Sequence, residues 1–408
     1  MHAGTAAAVY YARLGLTLIH YDARAHLVVA RRVIDSLTPG WQQIGAVWLP
    51  LPHLLNLLPV QIDAWYRTGV SAVVISILGL GLAAWALATV IQRTTGSTSG
   101  AAAAAALLIS NPSVLYLQST PMTEPLLFGT TMAAIALTAR WILDHEARGR
   151  PDAAGVAMAA ACLTRYEAWP VTAATVVLAG AILLRRGTGF RDAILACARL
   201  AAYPAAAIAL FLVNSRWTVG SWFVSGGFFI AENVEALGHP VGAWNQVHDG
   251  LYRLSGHALV WSGYAGAGLV VIAFLRSKTR APILLLLALG AAAAVPWYAY
   301  MQGHPFRIRY DVPLVAACAA LAGAAVGLLW SRARPIAAIA LVAAAMWESP
   351  ALDPTAPLIL EAQRDTANMA GRSAVTAYLV RHYDGRTIMM SMGSVSYTHL
   401  TLPTTPYV

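Results

Sequence analysis

Charge is scarce in this sequence. Only 11% of its 408 residues are Asp, Glu, Lys or Arg, and 58% are hydrophobic. A soluble domain carries roughly 25% charged residues, so a surface this poor in charge is built for lipid. Lysine is nearly missing: of 27 basic residues only Lys278 is lysine. The formal charge of +9 would suit nucleic acid, but the arginines fall in short interhelical loops and at helix ends, so nucleic acid is excluded as a partner. Cysteine is limited to Cys162, Cys197 and Cys318, all in apolar stretches without metal or disulfide spacing. No segment repeats at a fixed period, which argues against a solenoid or a duplicated transporter. A cleavable signal peptide is also lacking. The apolar run 3–19 has no basic start or small-residue cleavage site, and Arg13 interrupts it. It reads as part of a longer first helix.

What is present is a series of apolar runs long enough to cross a bilayer. They predict helices near 3–20, 64–91, 99–117, 122–141, 153–170, 171–185, 193–213, 257–275, 281–299, 312–331 and 335–348. The fold class is therefore all-α and polytopic, with about 11 transmembrane helices. An external amphipathic first loop and a truncated C-terminal extracytoplasmic segment complete it. Residues 1–348 form the transmembrane domain and 349–395 begin an extracytoplasmic region. Residues 396–408 follow a strand-like 387–391 stretch, break from the composition before them, and read as a non-native scar outside the fold.

Orientation follows from the short basic loops. Arg93, Arg140, Arg148, Arg150, Arg185, Arg186, Arg191, Arg276, Lys278, Arg280, Arg332 and Arg334 fall in alternate loops, which places those loops in the cytoplasm. Segments 21–63 and 214–256, the turn before Glu124, the 300–311 turn and the C-terminal tail then face outward. Positions 21–37 have the helical period of an amphipathic interfacial segment. The aromatic 214–256 loop, with Trp217, Trp222, Phe223, Phe228, Phe229 and Trp244, is placed to form a lid.

Polar chemistry gathers on that outer side: Asp22 after the first helix, Glu124 at the start of the fourth, Arg165-Tyr166-Glu167 in the outer third of the fifth, and Arg307, Arg309, Tyr310 and Asp311 before the tenth. Ionisable groups beside an apolar slab are costly and mark function. Acids with arginines at one depth suit an anionic headgroup pocket with a general base beside it. Each residue also has a plainer reading: Asp22 as a helix N-cap, Glu124 as a first-turn acid, Arg165 as a partner of Glu167 or a snorkelling arginine, Arg307 or Arg309 as a lipid-phosphate anchor, and His53 as a hydrogen-bonder in a re-entrant stretch. Their shared sidedness favours the pocket.

Four motifs in this order resemble the GT-C superfamily of integral-membrane glycosyltransferases that use polyprenyl-phosphate sugars. They are Tyr21-Asp22 leading into Ala30-Arg31-Arg32; Asn111-Pro112 followed by Met122-Thr123-Glu124-Pro125-Leu126; Leu163-Thr164-Arg165-Tyr166-Glu167-Ala168-Trp169; and Arg309-Tyr310-Asp311-Val312-Pro313. The resemblance is closest in style to the protein mannosyltransferase, aminoarabinose transferase and rhizobial galacturonosyltransferase-like branches, and runs over about residues 10–395. It implies a multi-pass protein of the bacterial inner membrane with its active site facing the periplasm or exterior. Asp22 and Glu124 are the implied catalytic acids, and Arg165, Tyr166, Arg307, Arg309, Tyr310 and His53 the implied substrate-binding set. The implied partners are a polyprenyl-phosphate sugar donor, the bilayer, and a glycan, lipid or protein acceptor. Where many relatives carry two adjacent acids this chain has Asp22-Ala23, so no metal or other cofactor is expected. The implied reaction is inverting transfer to an acceptor hydroxyl, with one carboxyl pKa raised by the nearness of Asp22 and Glu124. A lipid-linked-sugar flippase or a non-catalytic membrane scaffold are the alternative readings.

Overall fold

A computed structural model describes residues 1–145, 150–224, 232–364 and 366–384. Among these, regular structure is helical throughout. In chain order the α-helices are α1 (His2–Arg13), α2 (Tyr21–Arg32), α3 (Leu51–Asn56), α4 (Asp63–Thr68), α5 (Val70–Thr95), α6 (Thr98–Ser110), α7 (Pro112–Gln118), α8 (Glu124–His145), α9 (Asp152–Cys162), α10 (Ala168–Arg186), α11 (Phe190–Val219), α12 (Pro240–Arg276), α13 (Ala294–Met301), α14 (Val312–Leu328), α15 (Arg334–Glu348), α16 (Pro357–Gln363) and α17 (Thr366–His382). A 3-10 helix, Ala281–Ala293, runs into α13, and another, Ile308–Asp311, leads into α14. Arg148, Phe228, Phe229, the strand-like 387–391 stretch and the 396–408 tail lie outside the described residues.

The predicted apolar runs recur as helices, but the count of about 11 spans does not. Among the described residues seven helices are long and apolar enough to cross a membrane, or eight if the bent α6–α7 pair is one span. The first run yields only the 12 residues of α1, and the last only the 15 of α15. Two breaks explain much of the rest. Between α6 and α7 the axis turns by 68°. Pro112 pushes the preceding residue out of helical conformation, and Asn111 sits at φ −65°, ψ 124°, as that restriction demands. Its side chain then caps the new helix, accepting from the Val114 N–H at 3.1 Å and donating to the Leu254 carbonyl at 2.7 Å.

The second break corrects the boundary expected at Pro170. The chain leaves the helix after Cys162, turns through 163–167 and re-enters at Ala168. Pro170 falls in the first turn of α10, where a missing N–H leaves no helical bond unmade. Arg165 therefore lies in a turn between helices rather than in the outer third of one. The 214–256 loop is likewise shorter than expected: α11 continues to Val219 and α12 begins at Pro240. A non-helical Gly256 (φ 72°) divides α12, and the Glu348 carboxylate, reaching over from α15, accepts the Ala258 N–H at 2.9 Å to cap the second half.

Between lipid-facing helices close packing replaces the hydrophobic effect as the source of cohesion. α5 and α8 meet at Gly79 and Gly129. A methyl on Gly79 would lie 2.7 Å from the Pro125 carbonyl oxygen, and one on Gly129 would lie 2.6 Å from that of Gly79. α14 is buried along nearly its whole length among α5, α6 and α12. α2 packs against α3 and the 41–44 and 59–61 turns. Its Leu27, Val28 and Ala30 are buried with Val60 and Tyr66, while Arg31 pairs with Asp35 at 2.7 Å and Asp63 at 2.6 Å. The helix expected within 21–37 forms over Tyr21–Arg32, with residues 25–30 all buried.

Candidate active site

Three helix starts and one inter-helix turn converge beside α2. His20 is the N-cap of α2, its Nδ1 accepting the Asp22 N–H at 3.2 Å. Asp22 is therefore not the cap but a first-turn acid, buried and facing inward. Its Oδ2 meets Arg309 Nη2 at 2.6 Å. Arg309 Nε lies 3.4 Å from Glu124 Oε1, at the start of α8, and the same oxygen lies 3.0 Å from Arg165 Nη1. Arg165 closes the row on Glu167, Nη2 to Oε1 at 2.7 Å, and donates to the Thr123 hydroxyl at 3.0 Å. Three carboxylates thus alternate with two guanidiniums, and no member's side chain is more than 13% exposed.

A buried row of this kind carries a desolvation cost that only mutual pairing offsets. Glu124 is the exception within it. It is fully buried in ion-pair range of both arginines, yet neither carboxylate oxygen accepts a well-directed hydrogen bond. Buried acceptors are normally satisfied.

Burial by itself pushes the Asp22 carboxyl up, but Arg309, His20 and His26 outweigh it and hold the group below its ordinary 3.8. The expectation that crowding with Glu124 raises this carboxyl is therefore corrected: a guanidinium stands between the two acids. Burial disfavours the charged form of Arg165 too, and Glu124 and Glu167 overcome it, keeping the group cationic.

The remaining sequence-derived residues divide. Tyr310 lies under Arg309, guanidinium to ring centre 5.6 Å. His53 touches the row only through His26, whose Nδ1 is 3.1 Å from His53 Nε2. Both imidazoles are buried, and burial holds both in the neutral form, His53 pushed down to about 4. Tyr166 turns away, its hydroxyl near the Ala46 and Val47 carbonyls and its ring against Trp169. Arg307 is exposed, with its carbonyl held by the Tyr300 hydroxyl at 2.8 Å.

Sequence reasoning missed His20, His26 and Glu361. His26 stands one helical turn beyond Asp22 on the same face, a spacing that could have pointed to it. Glu361 carried no such signal. The chain after α15 folds back so that α16 packs near α7 and the 308–311 turn, setting Glu361 Oε1 3.8 Å from His20 Nε2. Burial would raise this carboxyl, but His20, Arg309 and Arg307 hold it low.

No protein-family model matches the chain, and neither does any curated protein. Solved structures do. ArnT from Cupriavidus metallidurans bound to undecaprenyl phosphate aligns over 98% of this chain and 84% of its own, with TM-score 0.61 and 15% identity. The apo state of the same protein gives 0.50 at 16% identity, over 98% and 74% of the two chains. The apo oligosaccharyltransferase of Archaeoglobus fulgidus gives 0.51 at 14%, over 99% of this chain and 60% of that one. The chain shares its fold with ArnT and with the archaeal oligosaccharyltransferase. The likeness to ArnT spans nearly the whole chain.

Proposed function

We propose that the protein is a membrane glycosyltransferase. It moves a sugar from a polyprenyl-phosphate donor to an acceptor hydroxyl on the extracytoplasmic face, with inversion and without a metal. The observation that supports this reading is the buried Asp22–Arg309–Glu124–Arg165–Glu167 row, three carboxylates alternating with two guanidiniums, in which neither Glu124 oxygen has a well-directed hydrogen bond. The bound lipid of the ArnT complex is a polyprenyl phosphate, the donor's leaving group in this scheme.

In that reaction the acceptor oxygen bonds to the anomeric carbon as the bond from that carbon to the phosphate oxygen breaks. The acceptor proton passes to Asp22, and the phosphate leaves with the electron pair. It is already a stabilised anion and needs no general acid. Arg309 and Arg165 stabilise its growing charge, the kind of preorganised electrostatics that dominates many active sites. Glu124, with free acceptor capacity, takes a hydrogen bond from the sugar or the acceptor.

Base strength and donor binding are coupled in this scheme. While Arg309 grips Asp22 the carboxylate is a weak base. A donor phosphate that draws charge from Arg309 returns Asp22 toward its ordinary value and makes it competent. Purified protein incubated with labelled polyprenyl-phosphate sugars and a membrane-derived acceptor fraction should release polyprenyl phosphate and give a product of opposite anomeric configuration. Retained configuration would sink the single-displacement mechanism. Donor movement across a bilayer without transfer would favour the flippase reading.

A further inference from the structure

A second site lies at the far end of α10. That helix starts beside Glu167 and ends at Arg186; its 19 residues carry the chain roughly 28 Å, about the thickness of a bilayer core. At that opposite end a cavity of about 750 Å³ opens between the 187–189 loop and the 277–280 loop. The Arg185 guanidinium ties the two sides together, donating to the Leu275 carbonyl at 2.6 Å.

The lining has two characters. Arg186, Arg199 and Lys278 contribute three cations against one acid, Asp192, with the hydroxyls of Thr188 and Thr279 among them. Leu183 and Leu195 form an apolar wall. None of the three cations makes an ion pair among the described residues. Arg199 and Lys278 are exposed and Arg186 is half-buried, so three cations facing one acid give the cavity an excess of positive charge. The amides opening the 30-residue α11 add partial positive charge at the same point.

We propose that this cavity binds the phosphate-bearing headgroup of an anionic lipid of the adjoining leaflet. Arg186, Arg199 and Lys278 would bind the phosphate, and acyl chains would lie along Leu183 and Leu195. The position fits that source: with α10 crossing the bilayer, the cavity falls at its interface, where basic pockets between helices take lipid headgroups, and Leu183 and Leu195 give one side of a mainly polar lining an apolar surface for an acyl chain. The site is independent of the catalytic reading, since none of its residues belongs to the Asp22 row.

The test is native mass spectrometry of the whole protein released from nanodiscs containing phosphatidylglycerol and phosphatidylcholine. Wild-type protein should retain phosphatidylglycerol. The triple variant R186A/R199A/K278A should lose at least five-fold of that retention, and R332A, at the same face but outside the cavity, should lose none. L195W, which narrows the apolar side of the cavity with every charge in place, should also reduce retention, and serves where the triple variant elutes as aggregate. Millimolar inorganic phosphate should leave retention unchanged. Retention that is equal in all variants overturns the site. Full displacement by inorganic phosphate overturns the lipid source in favour of a free-phosphate site.

Discussion

Arg309 is the hinge of the account, because one guanidinium answers to two buried acids. Arg309→Ala leaves Asp22 and Glu124 without their shared cation, and removing one partner of a buried pair costs about 3–5 kcal/mol. The variant should therefore unfold at distinctly lower temperature in detergent and should also bind polyprenyl phosphate weakly. A variant as stable as wild type would mean that the carboxylates are neutral. Acid titration gives a second check. Asp22 is held below 3.8, so its stabilising contribution is complete above that value and is lost as pH falls further, through the lowered value. Asp22→Asn should show none of that acid-induced loss. His53, pushed from 6.5 down to about 4, behaves differently: the unfolded chain binds the proton first. Stability should rise with pH between 4 and 6.5, and His53→Gln should flatten that slope in a thermal melt.

Among the helices, hydropathy located nearly every apolar run but could not see where a run bends. Asn111-Pro112 reads as the interior of one long span, although the restriction proline places on its neighbour was available in the sequence. At 163–167 no proline or glycine marks the turn, and Pro170 drew the boundary to itself although the first turn of a helix suits it. That error misplaced Arg165, whose guanidinium pairs with Glu124 and Glu167 from the turn. Glu361 was out of reach, since its place depends on the chain folding back after α15. The α5–α8 contact carries the testable consequence. Gly79→Val puts methyl groups into the Pro125 and Leu126 backbone. Overpacking of this kind costs about 1–3 kcal/mol, so the melting temperature should drop, whereas Gly268→Val, where nothing lies within 4 Å, should leave it unchanged.

Taken as one molecule, the chain is a polytopic helical fold shared with ArnT, whose ionic row and whose 185–191 and 277–280 basic loops lie at opposite ends of α10. Reporter fusions test that polarity. Alkaline phosphatase joined after Gly303, beside the Arg309 turn, should be active, and joined after Gly187 it should be inactive; the reverse pattern would invert the topology. The central claim, that Asp22 is the base and Arg309 its donor-sensitive partner, is tested most directly by transfer of labelled sugar from a polyprenyl-phosphate donor by Asp22→Asn protein, with donor affinity measured on the same sample. Asparagine keeps the size and hydrogen-bonding reach of the side chain but cannot take the proton. Turnover should fall by at least a thousand-fold, within the roughly 10²–10⁴ span of a general base, while donor affinity is kept or improved because Arg309 is released. Full transfer activity in Asp22→Asn would contradict the account and move the base to Glu124.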